Sequence, residues 1–299
     1  MFRDKDYLLT NDGLIFNVLG DQHDDGHVTA GLKYAHGDKW LDSYADAVAF
    51  LQQSFPEYVD GRIRVPLNKV EKHLKPLERT RQLLNEPTPS NPRLALAIDL
   101  LHILADHCEV PSSEVGITDS LLWGDGNENS DIDLVIYGSE VVTRFLSTSH
   151  ELFQFDDINH IEPEFVQRPP DIDDATFQMM LGRKENQGFY RGTRFSIRGV
   201  LTDQEVLWCP ERTKPFQPEG PQQCELTISD REDSLLYPVG YETEEGISLV
   251  SYHIGYEMGL KPGDRVRVSG TLEKANNMQR LIVGSTGGSA ESITIVPAS

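Results

Sequence analysis

The sequence predicts an α+β fold in three segments, and three observations predict it. Residues 1–86 open on a β-hairpin pattern and continue into helical spacing. Residues 92–182 run helix, strand, helix, and residues 188–299 are dominated by runs of alternating apolar and polar residues that read as strands. With 299 residues the chain has room for two or three domains, each able to bury a core.

The first segment begins with Tyr7-Leu8-Leu9-Thr10 and Leu14-Ile15-Phe16-Asn17-Val18-Leu19, separated by Asn11-Asp12-Gly13, which supplies the left-handed residues a hairpin turn needs. A third strand is expected at residues 27–34, a helix at 43–54, and one or two basic helices at 66–84. Together they make a small β/α module, residues 1–86. Pro87, Pro89 and Pro92 then interrupt any helix, so residues 87–92 read as a linker.

The second segment starts with an apolar helix at residues 93–107 and carries the most informative stretch of the chain. Asp119-Ser120 is followed by a polar turn containing Gly124 and Gly126, then by Ser130-Asp131-Ile132-Asp133-Leu134-Val135-Ile136-Tyr137. Alternation puts Asp131 and Asp133 on one face of a strand and Ile132 and Leu134 on the other. Paired carboxylates at that spacing suit Mg²⁺, a hard cation usually held by one or two carboxylates plus substrate phosphates. The competing reading is an acidic hairpin with solvated aspartates, because Asp, Asn, Gly and Ser are ordinary turn residues. A helix over residues 139–153 follows. A second Asp-Ile-Asp, at residues 171–173, precedes an apolar run and reads as an acidic helix start.

The Ser120 loop, the Gly-bearing turn and Ser130-Asp131-Ile132-Asp133-Leu134 together resemble the signature of the nucleotidyltransferase superfamily related to DNA polymerase β. The resemblance covers about 25 residues and the helix on either side. It implies a mixed sheet with flanking helices. It also implies Ser120 at a loop that receives a nucleoside triphosphate, and Asp131 and Asp133 as catalytic metal ligands binding Mg²⁺. The family usually has Gly-Ser or Gly-Gly where this chain has Asp119-Ser120, and a carboxylate there repels phosphate. A third carboxylate is usual in active members; Glu162, Glu164, Asp203 and Glu205 are the available positions, and Pro163 argues against a central strand at the first two. Arg183, Lys184 and Arg191 are assigned as phosphate clamps from charge alone.

The third segment contains a hairpin at residues 261–284 and further strands at 194–201 and 226–229. A closed five-stranded barrel of the OB type explains this pattern, and the Gly263-to-Gly270 stretch of alternating residues looks like that fold. Such barrels grip single-stranded nucleic acid through aromatics and a basic groove. Tyr190, Phe195, Tyr237, Tyr241, Tyr252 and Tyr256 are the aromatic candidates, with core packing the expected fate of most.

The formal net charge of −21 argues against a general nucleic-acid binder, since affinity for phosphate comes from clustered Lys and Arg. The charge is uneven. Residues 62–81 hold seven basic residues against two acidic ones, a balance of +5, and residues 183–198 hold five against one, a balance of +4. Spread acidity with few lysines points to a salty cytoplasm, and the family resemblance implies an archaeal, halophilic source. The charged amino-terminal residues lack a signal-peptide core and no apolar run reaches membrane-spanning length, which predicts a soluble cytoplasmic protein with no membrane partner. Three scattered cysteines argue against a disulfide framework or zinc ribbon.

The function expected from this sequence is Mg²⁺-dependent transfer of a nucleoside monophosphate from a nucleoside triphosphate to an unidentified acceptor, nucleic acid among the options. The alternative is a non-catalytic nucleotide- or nucleic-acid-binding protein with a degenerate nucleotidyltransferase domain.

Overall fold

The computed structural model describes residues 1–24, 26–86, 91–124, 126, 129–208, 216–284 and 291–297. The architecture is mixed α+β. It divides into two compact units, residues 1–105 with 111–137, and residues 106–110 with 138–299. The amino-terminal module and the Asp131–Asp133 strand therefore belong to one unit. Much of the linker expected at 87–92 lies outside the described residues.

The first unit is built on strands β1 (Tyr7–Thr10), β2 (Leu14–Val18), β3 (His27–Ala35) and β4 (Asp38–Lys39). Its helix α1 (Tyr44–Ser54) is followed by β5 (Arg64–Pro66), β6 (Val70–Leu74), helices α2 (Pro76–Asn85) and α3 (Pro92–His107), β7 (Val115–Ile117), α4 (Ser120–Trp123) and β8 (Ile132–Tyr137). The expected hairpin forms, with Tyr7 opposite Asn17, and Gly13 takes φ +74° at its turn. The sheet runs β4-β3-β2-β1-β6, and β5 pairs with β3. Ser43 and Asp46 close a reciprocal capping box at the start of α1, which buries Ala47 and Leu51 against the sheet.

Residues 66–84 correct the expectation of basic helices throughout. Only α2 is α-helical, after a 3₁₀ turn at Leu67–Lys69; Val70–Leu74 is a strand because its alternation lets it pair with the open edge of β1, Tyr7 opposite Leu74. Pairing that satisfies two edges of backbone groups outweighs the helix propensity of Glu71 and Lys72.

The second unit begins with α5 (Ser139–Thr148), which continues as a 3₁₀ segment to Gln154, as the expected 139–153 helix does in outline. Then come β9 (Ile158–His160), α6 (Asp174–Leu181), β10 (Gln187–Tyr190), β11 (Thr193–Val200), α7 (Asp203–Trp208), β12 (Gln217–Asp230), β13 (Val239–Thr243), β14 (Ser248–Ser251), β15 (Arg265–Ala275), β16 (Met278–Val283) and β17 (Ser292–Ile295). Asp173 caps α6 by accepting from the Thr176 N–H at 2.7 Å, so the second Asp-Ile-Asp is the helix start expected of it.

The barrel is present and closed by five strands. β12 pairs with β13, β13 with β14, β14 with β16, β16 with β15, and β15 returns to β12, while β17 pairs with Val266 to Ser269 of β15, beyond the stretch that β16 covers. All pairs are antiparallel except β14 with β16, which run parallel. The turn between β15 and β16 falls at Asn276-Asn277, with Asn276 at φ +54°. At Gly270 a Cβ would lie 2.3 Å from the Ile282 carbonyl, so only glycine allows the strands to close at that corner. Leu226, Ile228, Leu249, Val266, Val268 and Leu281 fill the interior. The strand expected at residues 194–201 forms as β11, outside the ring, paired with β10.

Candidate functional site

The signature segment starts from β7, which packs on α2 so tightly that a Cβ at Gly116 would lie 2.4 Å from the Pro76 Cβ. The Ile117 N–H donates to Thr80 Oγ1 at 2.9 Å, fixing β7 against that helix. Beyond it the Thr118 N–H donates to the Asp133 carbonyl at 2.9 Å, and the Thr118 hydroxyl donates to the Lys5 carbonyl at 2.9 Å. These bonds hold the loop beside β8 and beside the amino terminus.

At Asp119 the backbone turns sharply, at φ +52° and ψ −136°, a region that belongs to glycine. The family resemblance expects glycine here, and the backbone takes the glycine conformation with an aspartate in place. Asp119 stands at the N-cap of the single turn α4, yet its side chain makes no capping bond. Its carboxylate instead accepts the Tyr7 hydroxyl of β1 and pairs with the Lys33 ammonium of β3 at 3.4 Å. Burial, then the charges of Asp119 and Asp133, push the Tyr7 hydroxyl well above the usual tyrosine range.

The α4 turn carries Ser120 at its start, buries Leu121 and Leu122, and leaves Trp123 exposed. Arg79 of α2 donates through Nε to the Leu121 carbonyl at 3.2 Å. Gly126, at φ +65°, lies where a Cβ would meet Leu121 Cδ2 at 2.7 Å and Ser130 Oγ at 2.9 Å, so the turn folds back on α4. Asp125, Asn127 and Glu128 of the same turn lie outside the described residues.

The expected alternation holds at Asp131 and Asp133. Asp131 and Asp133 are half-buried, whereas Ile132 and Leu134 are buried. Their hard oxygen donors fit Mg²⁺, which needs few protein ligands when phosphates and water complete its shell. Among the described residues no three His, Cys, Asp or Glu side chains gather as a metal-holding group.

Sequence reasoning missed Tyr7, Lys33 and Tyr34. The register of β3 against β2 explains Lys33: Ile15 faces Tyr34 and Phe16 faces Leu32, so Lys33 is the extra residue of a β-bulge. A bulge re-aims side chains that strict alternation would separate. Lys33 meets Asp119, and the neighbouring Tyr34 meets Trp123 edge-on, ring centres 4.7 Å apart.

The three charge-assigned clamps belong to the other unit and are engaged there. Arg183 binds Asp264 through both terminal nitrogens and donates to the Gly259 carbonyl at 3.0 Å. Lys184 is 2% exposed and donates to the Gly255 carbonyl at 2.7 Å and to the Glu257 carbonyl. Burial lowers its ammonium to about 8. Both residues tie the segment after α6 to the barrel. Arg191 is half-exposed, pairs with Asp157 at 2.9 Å and lies 5.0 Å over the Tyr190 ring.

In the basic stretch at residues 62–81, Arg62, Arg64 and Lys69 are paired with acids. Arg62 and Arg64 reach Asp24, Arg64 also reaches Asp60, and Lys69 binds Asp12 and Glu57. Among the third-carboxylate positions, Glu162 and Glu164 are exposed around a 3₁₀ turn that starts at Pro163. The Glu205 carboxylate accepts from the N–H and hydroxyl of both Ser139 and Thr202. Of the aromatic candidates, Tyr190, Phe195, Tyr241 and Tyr256 are buried, Tyr237 is half-buried, and Tyr252 is exposed. Cys108 and Cys224 are free thiols, and burial pushes Cys108 up to about 12; Cys209 lies outside the described residues. Among the described residues no helix is long and apolar enough to cross a membrane.

No protein-family model matches the chain, and no solved structure matches it. It is similar to an uncharacterized protein of Methanocaldococcus jannaschii, 27% identical, with 95% of this chain and 96% of the relative aligned.

Proposed function

We propose that the chain is a Mg²⁺-dependent nucleotidyltransferase that moves a nucleoside monophosphate from a nucleoside triphosphate to an acceptor. One observation carries the reading: the half-buried Asp133 of β8 and Asp131, just before that strand, lie beside a strained, glycine-like turn that delivers Ser120. In this reading Asp131 and Asp133 hold the metal, and the Ser120 hydroxyl and adjacent backbone N–H groups hold phosphate oxygens. The metal, when bound, neutralises charge on the triphosphate and on the departing pyrophosphate. Ile132, Leu134 and Leu121 exclude water from the back of the site and fix the carboxylates' spacing.

The barrel supports a second part of this proposal, an OB-like module for single-stranded nucleic acid. Its strand order, first-second-third-fifth-fourth and back to the first with the third and fifth parallel, is consistent with that fold. Tyr237 and Tyr252, 6.1 Å apart edge-on, are the aromatic pair available to a base. Fold analogy alone does not carry function, so nucleic acid remains the second partner tested rather than the first.

The engaged Glu205 and the exposed Glu162 and Glu164 favour the alternative, a nucleotide-binding protein that lacks turnover. Calorimetry of Mg²⁺ with each nucleoside triphosphate in concentrated potassium chloride separates the outcomes. Binding lost in Asp131→Asn/Asp133→Asn supports the site; labelled product on an added acceptor supports transfer. Equal binding in both proteins, or none in either, defeats the proposal.

A further inference from the structure

Lys33 is placed by an irregularity. Without the bulge in β3, Lys33 and Tyr34 would face opposite sides of the sheet; with it, one reaches Asp119 and the other Trp123. Asp119 adopts a backbone conformation that costs an aspartate far more than a glycine, and its carboxylate is directed to Lys33 and Tyr7 rather than to the cap of α4. The pair is partly exposed, Lys33 at 37% and Asp119 at 31%, and ion pairs so exposed add little to stability. The buried Tyr7 hydroxyl gives the Asp119 carboxylate a structural partner, but the exposed pair with Lys33 gives the bulge in β3 no comparable return in stability.

We propose that Lys33 is a phosphate ligand for a nucleoside triphosphate, and that Asp119 holds its ammonium in place until the triphosphate displaces the carboxylate. The inference rests on the nucleotidyltransferase reading and extends its site to the amino-terminal sheet. Asp119 adjoins Ser120, so the ammonium that neutralises Asp119 stands next to the residue assigned to phosphate. An ammonium is a compact point charge with three donors, suited to phosphate oxygens from several directions. A triphosphate carries more charge than the aspartate and competes for the lysine. A monophosphate lacks the distal charge that makes the exchange favourable.

The experiment is calorimetry of ATP, GTP, CTP and UTP with Mg²⁺, and of the matching monophosphates. The proteins are the native chain, Lys33→Met, Lys33→Arg, Asp119→Gly and, as a control on the site, Asp133→Asn. Lys33→Met is expected to weaken triphosphate binding about tenfold or more while leaving monophosphate binding near the native value. Lys33→Arg should restore most of the loss. Asp119→Gly should tighten triphosphate binding several-fold, since it frees Lys33 and suits the backbone angle. Circular dichroism melts establish that each variant is folded.

Unchanged triphosphate binding in Lys33→Met, with binding abolished in Asp133→Asn, would overturn the role of Lys33 and leave the nucleotidyltransferase reading standing. Weaker binding in Asp119→Gly would show that Asp119 is itself a ligand and would likewise overturn the proposal. Absence of Mg²⁺-dependent binding by the native chain would remove both.

Discussion

Tyr7 and Asp119, 112 residues apart in sequence, are joined by a hydrogen bond from the tyrosine hydroxyl to the carboxylate. Tyr7 is 1% exposed, so its hydroxyl has given up water for that carboxylate. Tyr7→Phe removes a hydrogen bond to a charged acceptor and should cost about 1–3 kcal/mol. A chain of this size should then melt several degrees lower. An unchanged melting temperature would mean that the bond contributes nothing net.

Gly116 is the closest approach of β7 to α2. A methyl group there would overlap Pro76, whose Cβ and carbonyl carbon lie 2.4 and 2.9 Å from the ideal Cβ position. Neither neighbour is the flexible end of a side chain. Gly116→Ala is expected to destabilise by about 1–3 kcal/mol and, by shifting β7, to weaken nucleotide binding as well. A urea titration alongside calorimetry checks both effects, and full native stability would contradict the packing described.

Lys184 should leave a signature in the pH dependence of stability. Burial lowers its ammonium from 10.5 to about 8. Between those values the unfolded chain holds the proton and the folded chain releases it, so this group makes the fold more stable as pH rises from 8 to 10.5. Below pH 8 the cost of burying the charge is fully present. The span is worth about 3 kcal/mol at 1.4 kcal/mol per unit. Urea midpoints of the native chain and Lys184→Met, compared across this range, should converge or cross as pH rises; parallel lines would show that Lys184 titrates normally.

Trp123 offers a direct optical readout of the site. It is 36% exposed, three residues after Ser120, and its ring contacts Tyr34. Mg²⁺ with a nucleoside triphosphate should change tryptophan emission in the native chain and much less in Trp123→Phe. An equal response in both proteins would place the nucleotide away from this turn.

The sequence made some features legible because one local rule decides them. Asn11-Asp12-Gly13 fixes its hairpin, Asp173 its helix start, and the alternation at Asp131 to Leu134 survives intact. What escaped depends on partners far along the chain. Val70–Leu74 is a strand because β1 offers an edge, and Lys33 reaches Asp119 because one residue bulges from β3. Charge was the poorest guide: Arg62, Arg64, Lys69, Arg183 and Lys184 look like a phosphate-binding inventory in sequence, but folding supplies each with an acid or a carbonyl. Asp119 was visible as a departure from the family pattern; its glycine-like backbone and its two partners were not.

Closure of the barrel has a consequence for how its amide protons exchange with solvent. Each of the five strands in the ring is hydrogen-bonded on both sides, so no strand can peel from an edge without breaking two ladders at once. Amides in β12 to β16 should therefore exchange together, through one shared opening. Those of β4, paired among the described strands only with β3, should exchange earlier. A deuterium label would thus trace the ring as a single slow block.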